Sequence, residues 1–111
     1  MCGIAVSFGE KNDGVVKEML SRMAHRGPDG RGVFRIGNSI LGHLRLAIID
    51  VQGGGQPLWN EQYDLAVTFN GEIYNHLSIR AALEDRHPFK TRSDTEVLVH
   101  GFEEEGSDIL R

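Results

Sequence analysis

The 111-residue sequence predicts an α+β fold. Three observations carry this. Apolar residues alternate along Ile4-Ala5-Val6-Ser7-Phe8 and along Leu44-Arg45-Leu46-Ala47-Ile48, as in strands. They recur at helical spacing from about Val15, from His76 and from Asp94. Glycine-rich breaks separate these stretches, and no linker, internal repeat or low-complexity tract divides them. More than one sheet face needs burial, so strands are expected to sandwich with helices outside.

Composition narrows the function classes. Hydrophobic residues make up 40% and charged residues 25%, an ordinary soluble profile. Twelve Lys and Arg against sixteen Asp and Glu give a formal charge of −4. Basic residues are interleaved with acidic ones, so neither nucleic acid nor an anionic membrane surface is an expected partner. No apolar run approaches the ~20 residues of a membrane-spanning helix, and no signal-peptide pattern opens the chain. The single cysteine forms no internal disulfide and no thiolate cluster, and a cytoplasmic location is the default expectation.

That cysteine stands directly behind the initiator methionine. Removal of Met1 would make Cys2 the first residue, with thiol and free α-amine together. An α-amine has a pKa of about 8, so a useful fraction is neutral at pH 7. It can take the thiol proton, and one residue then supplies nucleophile and base. A buried second-position cysteine in the first strand is the bland alternative. Gly3 leaves room beside the thiol.

The elements follow in order. Val15, Val16, Met19, Leu20 and Met23 make one face of a helix to about Ala24, with Asn12 or Asp13 as cap. His25-Arg26-Gly27-Pro28-Asp29-Gly30-Arg31-Gly32 is a structured turn whose spacing fits no phosphate-binding fingerprint. Gly32 to Ile36 and Ser39 to Asp50 read as a hairpin over Gly37-Asn38, a dipeptide in the reverse of the favoured order. Arg45 lies inside the apolar second strand. It is either an internal brace, with Asp50 as a partner, or a fork for a substrate carboxylate.

Residues 51–56 read as a loop, and Trp59 as a lid or core edge. Leu65 to Phe69 is a strand running into Asn70-Gly71-Glu72. An Asn amide and a Gly N–H presented together suit a developing oxyanion, although Asn-Gly also simply marks a turn. Asn75 caps a helix to about Glu84, a strand covers Pro88 to Thr91, and Ser93-Asp94-Thr95-Glu96 matches a capping box. Asp94 in the first turn is either capping chemistry or a fixed anion for a substrate ammonium. Ile109 and Leu110 read as a continuing element, so the chain is expected to be cut short. His43, His76, His87 and His100 show no metal-ligand spacing, and no metal site is expected.

Six stretches in order carry a resemblance: Met1-Cys2-Gly3-Ile4, His25 to Gly30, Gly42 to Asp50, Gln56-Pro57-Leu58, Phe69 to Asn75 and Arg92 to Glu96. Together they resemble the glutaminase domain of class II glutamine amidotransferases, and the Arg26-Gly27-Pro28-Asp29-Gly30 form is most similar to the glutamine-hydrolysing asparagine synthetase branch. Ala47 stands where this branch often has serine.

The resemblance implies a four-layer αββα N-terminal-nucleophile fold, of which residues 1–111 are the N-terminal part. It implies Cys2 as nucleophile, Asn70 and Gly71 as oxyanion donors, Arg45 on the substrate α-carboxylate, and Glu72 with Asp94 on the α-ammonium. His25 and Arg26 would shape the loop behind the nucleophile. The implied partners are glutamine and a synthetase domain of the same chain, with a homodimer allowed. The glutaminase half-reaction needs no cofactor, whereas ATP and Mg2+ belong to the synthetase domain outside this chain. Alternatives are a different carboxylate acceptor, a stand-alone amide hydrolase, or a catalytically silent domain of the same fold.

Overall fold

The computed structural model describes residues 2–9, 12–46 and 55–111. Strands β1 (Gly3–Phe8), β2 (Gly30–Ile36) and β3 (Ser39–Arg45) form an antiparallel sheet in the order β1-β3-β2. The hairpin closes with Ile36 opposite Ser39. Gly37 has φ +54° while Asn38 stays at negative φ. That sign pattern belongs to a turn that wants glycine first, which explains the reversed dipeptide. β1 adds to the other edge of β3, pairing Gly3 with Leu44 and Phe8 with Ser39. The part of the expected second strand beyond Leu46, and most of the loop after it, lie outside the described residues.

Helix α1 (Gly14–Arg22) covers one face of this sheet. Val16 and Leu20 are fully buried against Ala5, Ile40 and Leu44. Burying side chains of this size stabilises by about 1.5–3 kcal/mol each. Gly42 sets the distance of approach, since a Cβ there would lie 2.6 Å from Val16 Cγ1 and 2.9 Å from Leu20 Cδ1. Asn12 Oδ1 accepts the Gly14 N–H at 2.8 Å, while Asp13, at the cap position, makes no side-chain capping bond. α1 ends two residues earlier than its sequence pattern, and a 3₁₀ turn (Ala24–Arg26) follows.

The opposite sheet face carries Ile4, Val6, Phe8, Leu41, His43 and Phe34 by strand alternation. Its His43 end is covered by the second half of the chain. His43 Nδ1 lies 2.8 Å from Thr68 Oγ1, and Phe34 meets Trp59 edge-on at 6.0 Å. Gly32 fits directly under the Gln56 carbonyl, where any Cβ would collide. The other end of the face is open, with Phe8 83% exposed.

The second half holds a two-residue ribbon, β4 (Leu58–Trp59) with β5 (Ala66–Val67), then α2 (His76–Leu83) and α3 (Glu96–Glu105). β5 is shorter than the expected strand Leu65 to Phe69. Leu83, Val97 and Val99 are buried, but so are Asn60, Ser93, Asp94, Thr95, Glu96 and His100. Asn60 Oδ1 accepts the N–H groups of Asp64 and Leu65, closing the loop between the ribbon strands. Among the described residues no helix is long and apolar enough to cross a membrane.

Three local expectations are corrected. Residues Pro88 to Thr91 form no strand, because the Glu96 carboxylate supplies the acceptors a neighbouring strand would. It takes the N–H of Lys90 at 2.7 Å and of Thr91 at 2.8 Å. Only the Ser93 half of the capping box forms, its Oγ accepting the Thr95 N–H at 3.2 Å; α3 begins at Glu96, whose carboxylate is spent on 90–91 instead of Ser93. Asn75 stands at the cap position of α2 without a side-chain capping bond. The architecture is α+β with antiparallel sheets, and a helix covers one face of the larger sheet.

Candidate active site

The thiol of Cys2 is fixed where β1 meets the end of β3. The Leu46 N–H donates to Sγ at 3.3 Å, and the Leu46 carbonyl lies 3.8 Å from the same sulfur. Cys2 is half-buried. Its own carbonyl accepts from Arg26 Nε at 3.2 Å, so the turn after α1 holds the backbone behind the thiol. This is the loop-shaping role expected of Arg26.

That turn is pressed onto β3. A Cβ at Gly27 would stand 2.5 Å from the Leu44 carbonyl carbon and 2.6 Å from the Arg45 nitrogen. The Asp29 N–H donates to the Arg45 carbonyl at 2.9 Å. Its glycines therefore serve close backbone packing; Gly30 and Gly32 are already in β2. Arg45 ends β3 and is only 9% exposed. Asp50, the partner suggested for it, and Met1 lie outside the described residues.

Residues Asn70, Gly71 and Glu72 lie on an exposed loop after β5. Both flanks of the loop are clamped. On one side the Phe69 N–H donates to Gln56 Oε1 at 2.7 Å, and Gln56 Nε2 donates to Thr95 Oγ1 at 3.3 Å. On the other, the Ile73 N–H donates to Asp94 Oδ2 at 2.8 Å. Asp94 is buried and sits just before α3, outside its first turn. A Cβ at Gly71 would meet the Phe69 ring at 2.7 Å, so a side chain there requires the ring to move.

Two groups of sequence-selected residues thus form. Cys2 and Arg45 share the end of the sheet, through Leu46. Asn70, Gly71 and Glu72 share one loop with Asp94, through Ile73. His43 and Gln56 are the residues that sequence reasoning missed. His43, two positions before Arg45 on the same strand face, reaches Thr68, two positions before Asn70. It is fully buried, and its Nε2 is the one buried side-chain atom found without a partner among the described residues. Burial, with the nearby Arg45 charge second, pushes the imidazole down to about 4. It is neutral at pH 7. The alternation that placed Arg45 among apolar residues was the available signal for His43. For Gln56 there was none beyond its place in a quoted stretch.

Comparison with known proteins adds the following. A model described as a glutamine amidotransferase domain matches residues 1–111. An asparagine synthetase [glutamine-hydrolyzing] of Asparagus officinalis is 46% identical over 99% of this chain and 19% of its own length. Asparagine synthetase B [glutamine-hydrolyzing] of Escherichia coli K12 is 44% identical over 99% of this chain and 21% of its own. The chain spans about a fifth of the length of the curated relatives it matches.

Proposed function

Because this chain belongs to the glutamine amidotransferase domain family, we propose that it hydrolyses the side-chain amide of glutamine with Cys2 as nucleophile. The observation that carries this reading is the half-buried thiol held on the Leu46 backbone, one residue from a nearly buried Arg45. After loss of Met1, the neutral α-amine of Cys2 takes the thiol proton. The thiolate attacks the amide carbon, and the Leu46 N–H is a ready donor to the sulfur. The oxyanion receives the Asn70 amide and the Gly71 N–H. Collapse returns the proton to the leaving nitrogen as ammonia and leaves a glutamyl thioester. Water, deprotonated by the same amine, releases glutamate and restores the thiol.

Arg45 receives the α-carboxylate, and Glu72 with Asp94 receives the α-ammonium. Fixing both charged groups places the distant amide against the thiol. A ligand lacking one of them forgoes a charge-assisted pair, which is how such a site rejects it. Asp94 does double duty in this reading, because its Oδ2 also holds the oxyanion loop through Ile73.

The finer architecture is part of the proposal. A second sheet stacked on the open Val6–Phe8 end of the first would give the four-layer αββα arrangement. The names and lengths of the relatives support a synthetase domain in the same chain, receiving the ammonia to amidate aspartate. ATP and Mg2+ would act there. Within this chain the glycine-rich turn is spent on β3 and offers no phosphate cradle.

The test is glutamate release from glutamine by the full-length protein with its terminus confirmed as Cys2. It is run with and without aspartate and ATP–Mg2+, beside Cys2→Ala. The expected loss in the variant is at least about 10³-fold. Asparagine formation identifies the acceptor, whereas glutamate without asparagine points to another acid. No glutamate from the folded protein with acceptor present would overturn the reading.

A further inference from the structure

The segment after α2 folds back against α3 and creates a second cluster of chemical groups, remote in sequence from Cys2. His100 and Glu103 lie one turn apart on α3, and His87 comes from the α2–α3 connection. These three residues offer ligand atoms that all lie within 4.8 Å of one another. Glu103 Oε2 is the meeting point, 2.9 Å from His100 Nδ1 and 3.2 Å from His87 Nδ1. Its other oxygen accepts from Asn60 Nδ2 at 2.9 Å, which fixes the carboxylate's orientation.

The outer nitrogens are also matched. His87 Nε2 lies 2.8 Å from Glu104 Oε1, and His100 Nε2 lies 3.5 Å from Glu96 Oε1. Each imidazole therefore turns one nitrogen inward to a shared carboxylate and the other outward to a second one. In metal centres the ligating histidine usually donates its remaining N–H to an acceptor of this kind, which fixes the tautomer. Three carboxylates, Glu96, Glu103 and Glu104, surround the two imidazoles, and Glu104 also pairs with Arg86 at 3.0 Å. A dication adds positive charge to this carboxylate-rich cluster.

We propose that His87, His100 and Glu103 form a binding site for a divalent transition-metal ion of the zinc type. His87 Nδ1, His100 Nδ1 and Glu103 Oε2 are the protein ligands, and water takes the fourth position. Bond lengths of about 2.0–2.2 Å put tetrahedral ligands about 3.3 Å apart, close to the two contacts with Glu103. Imidazole nitrogens select zinc-like ions over Mg2+, which prefers six oxygens. The rings are stacked, 5.0 Å apart and 25° from parallel. Metal entry tilts them so that both Nδ1 lone pairs converge, and it displaces any proton held there. The bound ion staples the α2–α3 connection onto α3. The cluster was invisible as a motif because one ligand is 13 positions from the next and only His100-x-x-Glu103 is local.

The experiment uses the full-length protein after chelator treatment. Zn2+ is titrated in competition with a chromophoric chelator, and Co2+ is added separately as a spectroscopic probe. The parent should bind one equivalent more than His87→Gln or Glu103→Gln, while His76→Gln should match the parent. Glu104→Gln, which removes an outer partner, should weaken that equivalent by about 10–100-fold. The parent's Co2+ complex should show the intense visible bands of a four-coordinate nitrogen–oxygen site. Equal zinc stoichiometry and affinity in the parent and both ligand variants would overturn the proposal. If either variant fails to fold, absence of the Co2+ bands in the parent overturns it by itself. Neither readout depends on glutamine chemistry.

Discussion

The two halves of the molecule are held together by different physics. In residues 12–46 and β1, the cluster buried under the helix is apolar, Ala5, Val16, Leu20, Ile40 and Leu44, while His43 and Arg45 are buried on the opposite sheet face. In residues 55–111 most buried positions around the site are polar, and Asn60, Asp94 and Glu96 each hold backbone N–H groups at fixed distances. Cys2 sits on the first kind of scaffold and the loop of residues 70–72 on the second. Apolar packing is non-directional and makes a stiff platform. Directional hydrogen bonds from Gln56 and Asp94 are what place an otherwise exposed loop.

The contrast can be tested from either side. The largest effect is expected from Leu20→Ala, which empties the centre of the apolar half. Stability should fall by about 2–5 kcal/mol in denaturant or thermal unfolding. Glutamine turnover per folded molecule should stay near the parent's. A stability loss below about 1 kcal/mol would mean that the helix is not seated as described.

Asn70→Ala probes the other half. The proposed oxyanion role predicts a fall in kcat of about 10²–10³-fold. The thermal midpoint should be unchanged, because Asn70 is exposed. A parallel loss of stability and activity would place Asn70 in the scaffold instead.

The smallest effect concerns His43, which bridges the halves. Its folded value of about 4 lies below the ordinary 6.5, so the unfolded chain binds more protons between those values. Its contribution is therefore full above pH 6.5 and is lost as pH falls toward 4. At pH 5 this amounts to about 2 kcal/mol relative to pH 7. His43→Asn retains an amide that can reach Thr68 but does not titrate. Its thermal midpoint should vary less between pH 7 and pH 5 than the parent's. Identical slopes would show that His43 is not neutral in the folded protein.

Local pattern carried the first half well. Period-two alternation marked β1 and β3, and helical spacing marked a five-residue face of α1, of which Val16 and Leu20 are buried while Val15 and Met19 are exposed. It served less well in the second half. Ser93 to Glu96 has every residue of a capping box, yet Glu96 turns to Lys90 and Thr91. Pro88 to Thr91 has strand-like residues but meets a carboxylate and not a ladder. In both cases a polar group had two competing sets of partners of similar local quality, and the approach of distant chain decided between them.

By itself, then, the sequence determined the α+β class, the apolar face of α1, the strand that carries Arg45 and the ordered stretches that resemble a glutaminase. These follow from periodicity and turn chemistry, which act over a few residues. Tertiary structure alone decided that Cys2 rests on the Leu46 backbone, that Asp94 holds the loop of residues 70–72 through Ile73, that His43 reaches Thr68, and that His87 meets His100 and Glu103. Each of these contacts joins residues 13 to 44 positions apart. Such pairings are fixed by how packed elements bring directional polar groups within about 3 Å, and no local period encodes that.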